Sequence, residues 1–247
     1  MISKATVKYI QSLQHKKFRD ELNVFFAEGP KVVLEFLEHN LFECEAIYCT
    51  QKGAEGLGNT FAQSYKDKIS IIQDFELEKI SALAAPNQLL AVFQKKATLS
   101  RINIANSLTL MLDDIQDPGN LGTIIRIADW FNVKTIFCSI TTVDCYNPKV
   151  VQSTMASLGR VEVVYDDLKA VLQNSNQIKK YAAVLGGKNV NELGKIKEGI
   201  LIIGNESKGI SKEILAFVDE KITIEKWGDA ESLNAAVATG IILHCLK

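Results

Sequence analysis

The residues able to do chemistry gather in three short stretches. "DPGNLGTIIRIADWF" (Asp117–Phe131) sets Asn120 at the mouth of a helix and Arg126 inside an otherwise apolar helical pattern. "GNESKGIS" (Gly204–Ser211) bunches Asn205 and Glu206 directly after an apolar run. "ESLNAAVATGIILHCL" (Glu231–Leu246) puts Ser232 and Asn234 at the opening of a helix that is apolar nearly all round. Amides, a carboxylate, a hydroxyl and a guanidinium can together grip a phosphate, orient a hydroxyl group or help remove its proton.

Several familiar chemistries fail on spacing. Gly204–Ser211 has the glycine spacing of a phosphate-binding loop, but Ile210 stands where the lysine must be and Lys208 precedes the second glycine. "DDIQD" (Asp113–Asp117) has the spacing of a magnesium-diphosphate site, yet it follows a strand and runs into Pro118-Gly119, so no helix turns its carboxylates to one face. Asp117 instead suits the turn ahead of Pro118. The run P-G-N-L-G is not the dinucleotide fingerprint. Ser232 would ordinarily be a helix cap, and a lone arginine on a helix a salt bridge or a snorkelling side chain. Five cysteines without C-x-x-C and only three histidines argue against a zinc site or a disulfide framework. A reducing, cytoplasmic setting is the simplest expectation. The N-terminus lacks the apolar core of a secretory signal, and no apolar run approaches the ~20 residues of a membrane span.

Positioning these residues requires a scaffold. At 247 residues and 47% hydrophobic, the chain can bury one large core or two modest ones. Its net charge of −1 does not advertise nucleic-acid binding, but the average hides a bias. Residues 1–19 carry Lys4, Lys8, Lys16, Lys17 and Arg19 and no acid, whereas 20–50 are strongly acidic. The weakly patterned Lys95–Ser107 predicts a boundary near residue 100, giving domains 1–100 and 106–247. The first reads as mixed: helices over Ala5–Leu13, Lys31–His39 and Phe75–Leu83, strands over Val24–Ala27, Ala46–Cys49, Ile69–Ile72 and Leu89–Phe93. The second alternates. Strand-like runs at Leu108–Leu112, Thr135–Cys138, Val161–Val164, Tyr181–Leu185, Ile200–Ile203 and Ile222–Ile224 are mostly separated by helices, and a last helix runs Ser232–Leu246. That pattern predicts an α/β fold with a mostly parallel sheet, binding ligands at the carboxyl ends of its strands, after Leu112, Ile203 and Ile224.

Taken in order, the three stretches resemble the SpoU/TrmH branch of the SPOUT RNA methyltransferases. "NPKVVQSTMASLGRV" (Asn147–Val161) is similar as well, so the resemblance runs from about residue 107 to the C-terminus. "HKKFRDELNVFFAEGPKVVLEFL" (His15–Leu37) is similar to the RNA-substrate-binding domain often fused ahead of that catalytic domain. Ser207 stands where the family commonly has glycine, and Ala156 replaces another frequent glycine.

The resemblance implies a trefoil-knotted catalytic domain preceded by a small α/β substrate-binding domain, a homodimer through the C-terminal domain, and S-adenosylmethionine bound in the knot without metal. The implied reaction is methyl transfer to a ribose 2′-hydroxyl of tRNA or rRNA. Catalytic positions would be Asn120, Arg126, Glu206, Ser232 and Asn234. The cofactor would lie against Leu185, Gly186, Ile203, Gly204, Asn205, Ile224 and Leu233. Lys16, Lys17 and Arg19 would touch RNA phosphate, although a solvated helix face explains such a run equally well. The family assigns proton removal to its first-motif arginine, here Arg126, but a guanidinium has no acceptor, so electrostatic stabilisation is the safer role. Two rival readings remain: a non-catalytic RNA-binding scaffold that keeps the cofactor, and an unrelated α/β enzyme that binds ATP.

Overall fold

The structure is a computed structural model that describes residues 2–97 and 104–247. The boundary expected near residue 100 therefore lies outside the described residues. The chain divides into two compact units, Met1–Ala97 with Tyr146–Gly159, and Thr98–Cys145 with Arg160–Lys247.

In the first unit, α1 (Lys4–Ser12) and α2 (Lys16–Leu22) lead into β1 (Val24–Glu28), α3 (Pro30–Glu38), β2 (Cys44–Cys49), α4 (Gln51–Ser64), β3 (Ile69–Ile71), α5 (Asp74–Ile80) and β4 (Leu89–Gln94). Their sheet runs β1-β4-β2-β3, antiparallel except for the β2/β3 pair. Phe25, Phe36, Phe42 and Phe93 form one ring cluster, with Phe25 and Phe42 4.9 Å apart edge to face. Two helices escaped the sequence reading. Of the α2 residues only Arg19 is buried, so no apolar stripe marks it. The α4 segment holds three glycines and breaks at Gly58, whose φ is 73°. Gly53 is required there, since a Cβ would come 2.3 Å from the Gln88 carbonyl oxygen.

The second unit opens with β5 (Leu108–Asp113), α6 (Pro118–Trp130) and β6 (Thr135–Cys138). The chain then enters α7 (Pro148–Thr154), which packs on β1 and so belongs to the first unit, although its sequence read as part of the second. It returns as β7 (Glu162–Tyr165), α8 (Leu168–Asn174), β8 (Lys180–Asn189), β9 (Gly199–Gly204), α9 (Lys212–Leu215), β10 (Glu220–Thr223) and α10 (Ala235–Leu246). The sheet order is β10-β8-β9-β5-β6-β7, and every ladder is parallel, as the alternation predicted. β5 is buried along its whole length and β9 up to its last residue, which is why both read as near-continuous apolar runs. Parallel pairing puts the carboxyl ends of the neighbouring strands β10, β8, β9 and β5 on one edge. The helix α10 packs on α6, with Gly240 beside Ile127.

The last helix starts at Ala235, later than expected, with Asn234 as its cap. Ser232 thus lies outside the helix and does not cap it. No helix among the described residues is long and apolar enough to cross a membrane.

Candidate active site

Three loops of the second unit meet through side-chain amides. Asp117 caps α6 by accepting from the Asn120 N–H at 2.8 Å, and Pro118 fills the first helical position, where no N–H is needed. Asn120 is thereby held at the helix mouth. Its Nδ2 donates to Glu206 Oε1 at 2.5 Å, and its Oδ1 accepts from Asn234 Nδ2 at 2.7 Å. Asn234 Oδ1 in turn accepts from the backbone N–H groups of Ala236 and Val237. The cap decides the polarity of the whole chain. Because Asn234 must offer its oxygen to the helix, its nitrogen faces Asn120, so Asn120 must offer its nitrogen to Glu206. Glu206 is left as a half-buried acceptor whose other oxygen has no hydrogen-bond partner among the described residues.

The Glu206 loop is a tight hairpin. Asn205 and Gly209 exchange both backbone hydrogen bonds, at 3.1 and 2.9 Å. A Cβ on Gly204 would fall 2.4 Å from the Gly209 carbonyl carbon, and Gly209 itself has a φ of 70°. The glycine spacing that resembles a phosphate loop therefore serves the turn. Asn205 Oδ1 accepts from the N–H groups of Ser207 and Lys208, and its Nδ2 donates to the Asp114 carbonyl at 2.8 Å. Ser207 is not among the residues of positive φ, so it replaces a family glycine without strain. Lys208, misplaced for a phosphate, pairs with Asp114 at 3.0 Å. Burial raises the Asp114 pKa, but hydrogen bonds from Lys208, Gln116 and Thr141 outweigh it and hold the carboxyl below its ordinary value.

The cofactor positions expected from sequence lie on or just after the adjacent strands β8, β9 and β10, with Leu233 ahead of α10. β8 pairs with β9 only as far as Ala182, and its pairing with β10 jumps from Ala182 to Lys188. Residues 183–187 are thus outside both ladders. Leu185 is 71% exposed in this excursion, and Gly186, with φ of 74°, has no heavy atom within 4 Å of where a Cβ would stand. Gly187, which the sequence reading passed over, is the residue that allows the excursion: a Cβ there would meet the Ile222 nitrogen at 2.7 Å. The Gly186-Gly187 pair was the available signal. Ile203 and Gly204 end β9, Ile224 follows β10, and Leu233, 46% exposed, precedes the α10 cap.

Arg126 lies in an apolar run but does not face the core. It is exposed, on the outward stripe of α6 with Thr123 and Trp130, while Leu121, Ile124, Ile125 and Ala128 face inward. No hydrogen-bond or ion-pair partner for it is found among the described residues. Ser232 is also exposed, two residues before the α10 cap. In the first unit, Lys16 and Lys17 are exposed; Lys16 pairs with Asp20 at 2.5 Å, and Lys17 lies 5.9 Å from the Phe18 ring centre. Arg19 is a correction. It is 1% exposed and donates to the carbonyls of Leu13 and Gln14 at 2.8 and 2.9 Å, so it ties α1 to α2 and is not available to RNA phosphate.

A parallel α/β unit with a polar relay across its strand ends is the class of fold and site on which comparison rests. Residues 107–244 match the model of the SpoU rRNA Methylase family, and residues 4–91 match that of the MRM3-like substrate binding domain. The chain belongs to the SpoU rRNA methylase family. It is 29% identical over 248 residues to the Bacillus subtilis 23S rRNA (guanosine(2553)-2′-O)-methyltransferase RlmP, covering 98% of this chain and 95% of that relative. It is 33% identical to a structure from Porphyromonas gingivalis assigned to the TrmH family of RNA methyltransferases, with a TM-score of 0.86 over 99% of this chain and 98% of that one. An S-adenosylmethionine-bound rRNA methyltransferase from Sinorhizobium meliloti superposes with a TM-score of 0.87 at 27% identity, over 99% of this chain and 95% of that one.

Proposed function

We propose that this chain transfers a methyl group from S-adenosylmethionine to a ribose 2′-hydroxyl of RNA. The observation that carries the reading is the Glu206–Asn120–Asn234 relay, which joins three motifs far apart in sequence into one polar site, half-buried at Asn120 and Glu206 and exposed at Asn234. S-adenosylmethionine supplies an already activated methyl group, so the protein has only to align the acceptor and manage its proton. Glu206 offers an acceptor for a hydroxyl, and the Asn120 amide holds it aimed. Arg126, exposed and without a partner among the described residues, suits an RNA phosphate or a developing alkoxide. The open backbone at Gly186 and the ends of β9 and β10 fit a cofactor held mainly by main-chain groups. Leu185, Ile203, Asn205, Ile224 and Leu233 would line it.

The first unit would choose the RNA, with Lys16 and Lys17 as phosphate contacts. Its match to a substrate-binding model supports that division. The Bacillus subtilis relative and a Streptomyces viridochromogenes 23S rRNA (uridine(2479)-2′-O)-methyltransferase, 26% identical over 94% of this chain, support rRNA as the substrate class while differing in base. A knotted path through the C-terminal segment is supported by the match to the SpoU rRNA Methylase family model. A homodimer is supported by Val237 and Ile241, exposed one turn apart on α10, and by Trp130, 85% exposed on the adjoining α6. The free cysteines suit a cytoplasmic location.

Two measurements test the reading. Calorimetry should detect S-adenosylmethionine binding without added metal, and the purified chain should place a radiolabelled methyl on ribosomal RNA in an alkali-resistant dinucleotide. Cofactor binding without transfer would favour the scaffold, and a preference for ATP would overturn both. Light scattering on the full chain should report a dimer.

A further inference from the structure

We propose that Asp114 is a positioning residue that clamps the Glu206 loop from both sides, through Asn205 before it and Lys208 after it. The inference rests on reading the relay as the methyl-transfer site, and it gives a role to an acidic run that fits no metal-site geometry.

Asp114 follows β5 directly and has a φ of 61°. Side chains rarely adopt that left-handed conformation, and Asp and Asn tolerate it best. The turn sends the Asp114 carbonyl to Asn205 Nδ2 at 2.8 Å and the carboxylate to Lys208 Nζ at 3.0 Å. The second carboxylate oxygen accepts from Gln116 Nε2 at 2.9 Å, and the Asp114 N–H donates to Ser139 Oγ at 2.9 Å. One residue thus ties the ends of β5 and β6 to the hairpin after β9. The carboxylate side chain is only 19% exposed, whereas Lys208 is 72% exposed. Only Glu206 and Ser207 lie between the two gripped residues. The Asn205 side chain, fixed by Asp114, in turn holds the Ser207 and Lys208 amides. If the clamp loosens, Glu206 loses its fixed distance to Asn120 while the backbone at Gly186 and Ile224 is untouched. Asp114 touches none of the reacting groups, so its effect passes through Glu206.

The test uses the full chain and four variants: Asp114→Asn, Lys208→Met, the two combined, and Lys208→Arg. Asn keeps the tolerance for positive φ and removes the charge. Hydrogen exchange at the Ser207 and Lys208 amides reads the clamp whether or not the protein is active. Exchange should quicken about five- to tenfold in Asp114→Asn and in Lys208→Met, the size expected from one partly exposed charged hydrogen bond. The double variant should match the singles, and Lys208→Arg should stay near wild type. Turnover at saturating RNA should fall in parallel, with the thermal midpoint unchanged and S-adenosylmethionine affinity unchanged, because both substitutions leave the Asp114 carbonyl bonded to Asn205. Unchanged exchange, single effects that multiply in the double, quickened exchange with normal turnover, or a parallel loss of cofactor affinity would each overturn the proposal. If the wild type transfers no methyl group while exchange responds as expected, the clamp stands and the methyl-transfer reading fails.

Discussion

Asn234 turns its amide nitrogen onto Asn120 Oδ1 at 2.7 Å while its oxygen caps the last helix, so the start of α10 dictates which way the Asn120 amide faces. The helix has two N–H groups to satisfy at that end, and leaving them unpaired would cost about 1 kcal/mol. The relay is therefore directional, and its last member must be an acceptor.

Asn120→Asp puts this to the test. It replaces the donor facing Glu206 with a second carboxylate 2.5 Å from the first. Two carboxylates that close cannot both ionise, so the pair should retain one proton well above the ordinary carboxylate range. Turnover at neutral pH should drop on the order of a hundredfold. Part of it should return as pH falls, because the shared proton restores a hydrogen bond. A variant with the wild-type pH profile would show that Asn120 and Glu206 are not coupled.

Arg126→Ala and Arg126→Lys should each cut turnover on the order of a hundredfold or more, since lysine keeps the charge but not the planar fork. Because Arg126 is exposed and unpartnered among the described residues, stability should change by less than about 0.5 kcal/mol. Cofactor affinity should also hold. Single-turnover kinetics beside a denaturation curve separates these effects; normal turnover in Arg126→Ala would remove the residue from the mechanism.

Gly204→Ala should damage the hairpin, because the new methyl group would sit 2.4 Å from the Gly209 backbone. Overpacking of this kind costs about 1–3 kcal/mol. Weaker S-adenosylmethionine binding should accompany the loss, as Gly204 ends β9 and is itself one of the expected cofactor positions. Calorimetry and urea melts check both; wild-type affinity in a folded Gly204→Ala protein would place the cofactor elsewhere.

The basic N-terminal run should split into two behaviours. Neutralising Lys16 and Lys17 should flatten the salt dependence of RNA binding if they touch phosphate, with little change in stability. Arg19→Ala should instead destabilise the first unit by about 1–3 kcal/mol, because it strands the Leu13 and Gln14 carbonyls. Filter binding at several salt concentrations, read against thermal melts, distinguishes them. A flattened slope in Arg19→Ala at unchanged stability would contradict its burial.

By itself the sequence determined the local and periodic parts of this protein. Near-continuous apolar runs such as Leu108–Leu112, broken only by Thr109, and Ile200–Ile203 announced strands buried on both faces, and their alternation with helices announced a parallel sheet. The order and content of three motifs announced the family. Only the tertiary structure decided what depends on direction and on distant partners. Arg126 sits in an apolar string yet points outward, because helical rotation, and not neighbouring residue type, sets which side of α6 meets the core. Arg19 reads as one more surface charge yet is buried, because two carbonyls at the α1–α2 turn take its donors. Asp114 reads as a fragment of a metal motif yet meets Lys208, because parallel pairing of β5 and β9 sets their carboxyl ends side by side. Composition and period carry no record of such placements, since each is set by the path of the folded backbone.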